Sequence, residues 1–291
     1  MVKSMLDHRM ETFLLVCDLM NYHKAADTLG LTQPAVTQQI RFLEQHYNCK
    51  LFDYKSHKLI KTEAAIVLEQ YARAMRLTES HLKEQLISEE IIELRIGATK
   101  TIGDYFLPPY IHHFLEKKEN ALNLIVDNTS VLLHMLQNNQ LDFAIVEGFF
   151  NKTNYDNILV RKEPFVGICK KDHPFAGKEI SISEIFEETI IHREDGSGTR
   201  AILEKELSGY NESLQRFKRR ICISSFPLIL DMVKHGYGIS FVYNVLADSD
   251  SDIAKFTFKE HQIVREFNIV FLKHANAKEY IRYFFDQEDF L

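Results

Sequence analysis

The sequence predicts an α/β protein with an all-α head: a helical unit over residues 1–61, a long helix over 62–89, and a two-lobed α/β domain over 90–291. Three observations predict this. Apolar residues recur at helical spacing through the first sixty residues and are interrupted at a glycine. A four-and-three apolar spacing then runs on through the next segment. After Ile91, short apolar runs alternate with helical segments, as a parallel sheet with crossover helices demands.

The first helix is read from Leu6 to Met20, where Leu6, Met10, Phe13, Leu14, Cys17 and Leu19 make one apolar face. Asn21 is placed to cap a second helix that runs to about Leu29, Gly30 ends it with a permissive backbone, and Thr32 followed by Pro34 starts a third. Ala26, Gly30 and Val36 stand at the offsets of four and ten that a helix-turn-helix needs: a small residue where the helices touch, a glycine in the turn, and a plug in the angle. With Ala35, Val36, Ile40 and Leu43 facing inward, the outward face of the third helix shows Thr32, Gln33, Thr37, Gln38 and Arg41. Short amides and hydroxyls near a helix N-terminus suit base edges and phosphates in a major groove.

Residues 48–62, "NCKLFDYKSHKLIKT", hold two apolar pairs around a polar turn, with Lys50, Lys55, His57, Lys58 and Lys61 interleaved. This reads as a wing whose cations lie along a nucleic-acid backbone. From Thr62 to about Glu89, Leu68, Ala72, Met75, Leu82 and Leu86 form a seam for a two-chain coiled coil, with Glu79 as a polar interruption. Next, "IELRIGA", "LNLIVDN" and "LDFAIVEG" read as strands separated by helices over 104–118 and 131–138. A second set follows: "FVGICK", "ETIIHRED", a helix after "GSGTR", "RRICISS", a helix over 226–235, "GISFVY", "REFNIVFLKH" and a last helix from Asn276. Extended crossings near 159–167 and 264–269 divide the domain into lobe I (about 90–161 and 268–291) and lobe II (about 162–267), with a cleft between them.

Composition bounds the function. A chain of 291 residues, 45% apolar and 26% charged, is ordinary for two or three globular domains. No apolar run reaches membrane-spanning length, and Asp7, His8, Arg9 and Glu11 interrupt any signal-peptide core, so a cytoplasmic protein without membrane contact is expected. Cys17, Cys49, Cys169 and Cys222 are widely spaced among apolar neighbours; buried thiols are expected, and neither a disulfide framework nor a metal site. The net charge of −6 is uneven: residues 1–62 carry eight Lys and Arg against six acids, a mildly basic head on an acidic body.

Two stretches carry the chemistry of the cleft. "ATKT", residues 98–101, follows a strand and opens a helix, so the Thr99 and Thr101 hydroxyls, free amides and Lys100 can hold an anion. "GSGTR", with Gly196, Ser197, Gly198 and Thr199, does the same in the second lobe. Asn128, Glu147, Ser224 and Ser225, at strand ends, are secondary contacts. Lys100 favours an anion, while Glu147 suits an amine, which keeps an amino-acid-like ligand open.

The stretches "AADTLGLTQPAVTQQIRFLEQHYNCKLF", "KTEAA", "GATKTIGDYFLP", "LDFAIVEG", "REDGSGTR" and "VKHGYGISFV" resemble those of LysR-type transcriptional regulators over essentially the whole chain. The resemblance implies a winged helix-turn-helix, a dimerising linker helix and a periplasmic-binding-protein-like effector domain. It further implies a dimer or tetramer on palindromic promoter DNA, and a small carboxylate, sulfur compound or phosphorylated metabolite as effector. It favours Asn21, Thr32, Gln33, Pro34, Thr37, Gln38, Arg41, Lys55 and Lys58 for double-stranded DNA, and Thr99, Lys100, Thr101 and Thr199 for effector. "KTEAA" departs from the commoner Leu-Thr-x-Ala-Gly at Lys61 and Ala65. No catalytic residue and no cofactor is expected: GxxxxGK, GxSxG and HExxH are missing, and His112 and His113 fall on a surface helix. A solute-transport protein would leave the first 90 residues unexplained, and an architectural DNA binder would leave the cleft unexplained.

Overall fold

The computed structural model describes residues 7–87, 92–147, 150–151 and 155–286. The head is three helices and a hairpin: α1 (His8–Leu19), α2 (Tyr22–Leu29), α3 (Gln33–His46), β1 (Phe52–Lys55) and β2 (Lys58–Lys61). Leu6, read as the start of the first helix, lies outside the described residues. Asn21 caps α2 by accepting the amides of His23 and Lys24 at 2.9 and 3.0 Å, and Gly30 ends it at φ 66°, where a side chain would be strained. The Thr32 hydroxyl accepts the Ala35 amide at the start of α3. Phe13, Leu14, Ala25, Val36, Ile40 and Leu51 close the head core with almost no exposure, so truncating Phe13 to alanine costs about 3–5 kcal/mol. Ala35, expected inward, is only half-buried because it sits beside the capped first turn.

α4 (Glu63–Ile87) starts where the Thr62 hydroxyl accepts the Ala65 amide at 3.1 Å and itself donates to the Lys50 carbonyl. The expected seam is divided. Leu68 and Ala72 pack into the head core, whereas Met75, Leu82 and Leu86 are exposed. The four-and-three period marks an apolar face without saying what covers each end of it, and the head occupies the N-terminal end. The junction near residue 89 lies outside the described residues.

The remaining strands are β3 (Glu93–Ala98), β4 (Ala121–Val126), β5 (Phe143–Glu147), β6 (Tyr155–Lys170), β7 (Glu179–Ile180), β8 (Thr189–His192), β9 (Arg219–Cys222), β10 (Ser240–Tyr243), β11 (Ile253–Phe258) and β12 (Ile263–Leu272). The helices are α5 (Pro108–Leu115), α6 (Thr129–Gln137), α7 (Gly198–Gly209), α8 (Phe226–Lys234), α9 (Asn244–Ala247) and α10 (Ala277–Phe285). One sheet runs β4-β3-β5-β12-β6-β11-β7, with β10 also on β6. β3 is parallel to β4 and β5, as the crossover helices require, while β12 is antiparallel to β5 and β6. β6 and β12 pair from Phe165–Ile263 to Tyr155–Leu272 and cross from one lobe to the other. Their register shifts between Phe267 and Asn268, where Arg161 and Leu159 are successive partners and Val160 is passed over.

Several expectations change. The helix read over 104–118 is a π turn at Ile102–Phe106 followed by α5, because Pro108 and Pro109 have no amide to extend the earlier ladder. β11 was not expected, although Phe256 and Phe258 bury one face of it and Ile253 is buried on the other. Among the cysteines, Cys17 and Cys169 are buried, Cys49 is half-buried, and Cys222, at the end of β9, is exposed rather than buried.

Candidate functional site

The head presents Thr32, the cap of α3, and Gln33, Pro34, Gln38 and Arg41 of α3 to solvent. Thr37 is half-buried, and its hydroxyl donates to the Gln33 carbonyl at 3.0 Å. The hairpin turns through Ser56 and His57, both left-handed at φ 50° and 62°, the geometry of a tight two-residue hairpin. That turn sets Lys55 opposite Lys58, and both are exposed. Lys61, expected along the backbone with them, is instead paired with Glu69 of α4 at 2.6 Å. Its position in β2 turns it toward the linker, where a carboxylate offsets the loss of water.

Between the lobes lies a cavity of about 650 Å³. Thr99, Lys100, Thr101, Asn128, Glu147, Gly196, Ser197, Gly198 and Thr199 all line it. Three helical starts meet there: the turn opening at Lys100, α6 and α7. The first amides of a helix have no acceptor within it, so each start offers donors and the positive end of a dipole. Gly196 holds φ 84° ahead of α7, and the Ser197 and Thr199 hydroxyls lie 3.3 Å apart at its tip. The Thr101 hydroxyl is buried and has no hydrogen-bond partner among the described residues, although it lines the cavity. A buried hydroxyl in that state costs about 1–3 kcal/mol until a ligand or water completes it.

Some expected contacts have other duties. The Thr99 hydroxyl donates to the Glu147 carboxylate, and the Thr99 amide donates to the Ile145 carbonyl at 3.1 Å, so neither is free for an anion. Asn128 caps α6, its carboxamide oxygen accepting the Val131 amide at 3.1 Å and the Ser130 hydroxyl at 2.7 Å. Ser224 is exposed and does not line the cavity; its carbonyl accepts Lys100 Nζ at 3.5 Å. Ser225 precedes α8 without a side-chain cap bond.

Burial raises the Glu147 carboxyl to about 7, against the opposing hydrogen bond from Thr99 and the positive charge of Arg193. Two arginines on the wall were missed by sequence reasoning. Arg193, at the end of β8, is buried, holds Glu194 through two bonds of 2.7 Å, and lies 4.3 Å over the Phe226 ring. Arg265 reaches the cavity from β12, donating to Glu206 at 2.8 Å while its Nε is buried without a partner among the described residues. Arg193 stood in the quoted "REDGSGTR", so a signal existed. Arg265 is brought in only by the strand crossing.

Among the described residues no cluster of three or more His, Cys, Asp or Glu is arranged to hold a metal, and no helix is long and apolar enough to cross a membrane. Two family models match: the bacterial regulatory helix-turn-helix protein of the lysR family over residues 8–66, and the LysR substrate binding domain over residues 89–287. The chain is 29% identical over 280 residues to the HTH-type transcriptional regulator CysL of Bacillus subtilis, covering 94% of this chain and 89% of CysL. It is 31% identical over 227 residues to the RuBisCO operon transcriptional regulator of Allochromatium vinosum, covering 76% and 74% of the two chains. Full-length OxyR from Pseudomonas aeruginosa matches with TM-score 0.61 and 18% identity over 98% of this chain and 94% of that one. The regulatory domain of CcmR from Synechocystis PCC6803, solved in complex with 2-PG, matches with TM-score 0.59 and 25% identity over 67% of this chain and 96% of that one. With both models spanning the head and the two-lobed domain, the chain belongs to the LysR family of transcriptional regulators, DNA-binding proteins and not enzymes.

Proposed function

We propose that this regulator reads promoter DNA with Gln33, Thr37, Gln38 and Arg41 of α3, is set on the backbone by Asn21, Thr32, Pro34, Lys55 and Lys58, and responds to a small anion held between its lobes. The observation that carries the reading is the unpartnered Thr101 hydroxyl at the meeting of three helix starts, with Lys100 beside it and Arg193 and Arg265 lining the same cavity from the other lobe. Thr199, Ser197 and the Gly196–Gly198 backbone supply donors from the facing lobe, with Thr99 and Asn128 positioning Glu147 and α6. The likeness to the CcmR domain bound to 2-PG favours a phosphorylated or carboxylated metabolite of that size. An anion touching both lobes has different affinities for different lobe arrangements, and only such a difference can shift the DNA-bound state.

Oligomerisation belongs to this reading. Met75, Leu82 and Leu86, at steps of seven and four along α4, leave an exposed apolar stripe that a second linker helix would cover, giving a homodimer or a tetramer built from two. Work on DNA places the chain in the cytoplasm. The test is a melting-temperature screen with 2-PG, sulfate and small carboxylates, followed by promoter-fragment shift assays with each hit. Binding to the native state raises the melting temperature. A screen in which no anion raises it would remove the anion from the reading.

A further inference from the structure

One buried side chain touches the head and lobe I together. Arg73, in the middle of α4, is 3% exposed. Its Nη2 donates to Asp18 of α1 and, at 2.7 Å, to Glu69, while Nε donates to Glu69 at 3.1 Å. The other Glu69 oxygen holds Lys61 of the wing. Nη1 donates to the backbone carbonyl of Gln137, the last residue of α6. Asn139, just beyond, returns a bond from Nδ2 to the Arg73 carbonyl at 2.9 Å. Burial would push the guanidinium toward losing its proton, but Asp18 and Glu69 overcome that and hold it charged. A planar group with charge-assisted bonds in several directions fixes orientation as well as distance, so α1, the wing and α6 cannot shift independently around it.

The other end of α6 is in the cleft. Its cap Asn128 and its first residues Thr129 and Ser130 line the cavity. The helix has nine residues, about 13 Å at 1.5 Å each, and Leu132 and Leu136, both at 0% exposure, bind it to the lobe as one rod.

We propose that Arg73 is the positioning residue that couples the cleft to the DNA-reading head, with α6 as the rod and the Gln137 carbonyl as its contact. A displacement at the start of α6 reaches the guanidinium through Gln137, and the guanidinium passes it to α1 through Asp18 and to the wing through Glu69 and Lys61. The ligand-to-DNA direction rests on the cleft reading above. The coupling is reciprocal, however, so duplex bound to the head must alter α6 even with no ligand added.

The experiment uses the full chain and a duplex that it selects from a random library, with hydrogen exchange of the amides in residues 129–137 measured with and without duplex. In the parent, duplex is expected to change exchange there by about fivefold or more, the lower end of ordinary coupling. In Arg73→Met, at matched duplex occupancy, the change is expected to fall below about twofold, which is under that range. If Arg73→Met does not fold, Arg73→Lys serves instead: it keeps a cation beside Asp18 and Glu69 but has no guanidinium fork to hold the Gln137 carbonyl at the same time, so a smaller change than the parent's is expected. An α6 unaffected by duplex in the parent, or a full-sized change in the variant that folds, overturns the proposal. Failure of every anion to raise the melting temperature would sink the cleft reading and leave this exchange result standing.

Discussion

Replacing Glu147 by glutamine tests the cleft electrostatics most directly. The carboxyl is buried among Thr99, Arg193 and Tyr243, and burial lifts it from 4.5 to about 7. Between those values the folded protein holds a proton that the unfolded chain has released, so stability falls as pH rises. The contribution is therefore complete below about pH 4.5 and lost as pH passes through about 7. At about 1.36 kcal/mol per unit, the shift amounts to at most about 3 kcal/mol at pH 8. Glutamine is neutral at every pH and keeps an oxygen for the Thr99 hydroxyl. Glu147→Gln should match the parent in urea unfolding at pH 4.5 and exceed it by about 1–3 kcal/mol at pH 8. Anion binding at pH 8 should tighten as well, because a negative charge has left the cavity wall. The same difference in stability at both pH values would refute the reasoning, since only a titrating carboxylate makes it depend on pH.

Four further outcomes are expected. Gln33→Ala should weaken the selected operator by about 1–3 kcal/mol and leave nonspecific duplex nearly unchanged; equal loss on all sequences in a filter or shift assay would remove base reading from this residue. Lys58→Ala should weaken all duplexes alike and lower the salt slope of binding by roughly one, which titrations at several salt concentrations would check. Leu82→Glu with Leu86→Glu places charges in the proposed seam and should dissociate the dimer, whereas an unchanged mass by light scattering would put the interface elsewhere. Thr101→Val removes a buried hydroxyl that has no partner, so the ligand-free protein should be unchanged or about 1 kcal/mol more stable while any anion binding there weakens about tenfold; calorimetry showing undiminished affinity would move the ligand away from this wall.

Local chemistry made the head readable from sequence. Asn21, Gly30 and Thr32 act within three residues of themselves, through cap bonds and a left-handed turn, so their roles need no knowledge of the rest of the chain. The same is true of Gly196 before α7 and of the opening at Lys100, which is why the anion-binding stretches stood out as "GSGTR" and "ATKT". Partner choice across the fold was not readable. The Thr99 hydroxyl is taken by Glu147, 48 residues away, and Lys61 by Glu69 because β2 lies against α4. Arg265 enters the cleft because β12 pairs with β6, and the stripe on α4 is divided because the head covers Leu68 and Ala72 but leaves Met75, Leu82 and Leu86 exposed. Periodicity states that a face is apolar and spacing states that a helix begins, since both are set by neighbours along the chain. Which polar group loses its water, and which charge then compensates it, depends on segments far apart in sequence, and only the tertiary structure brings those together.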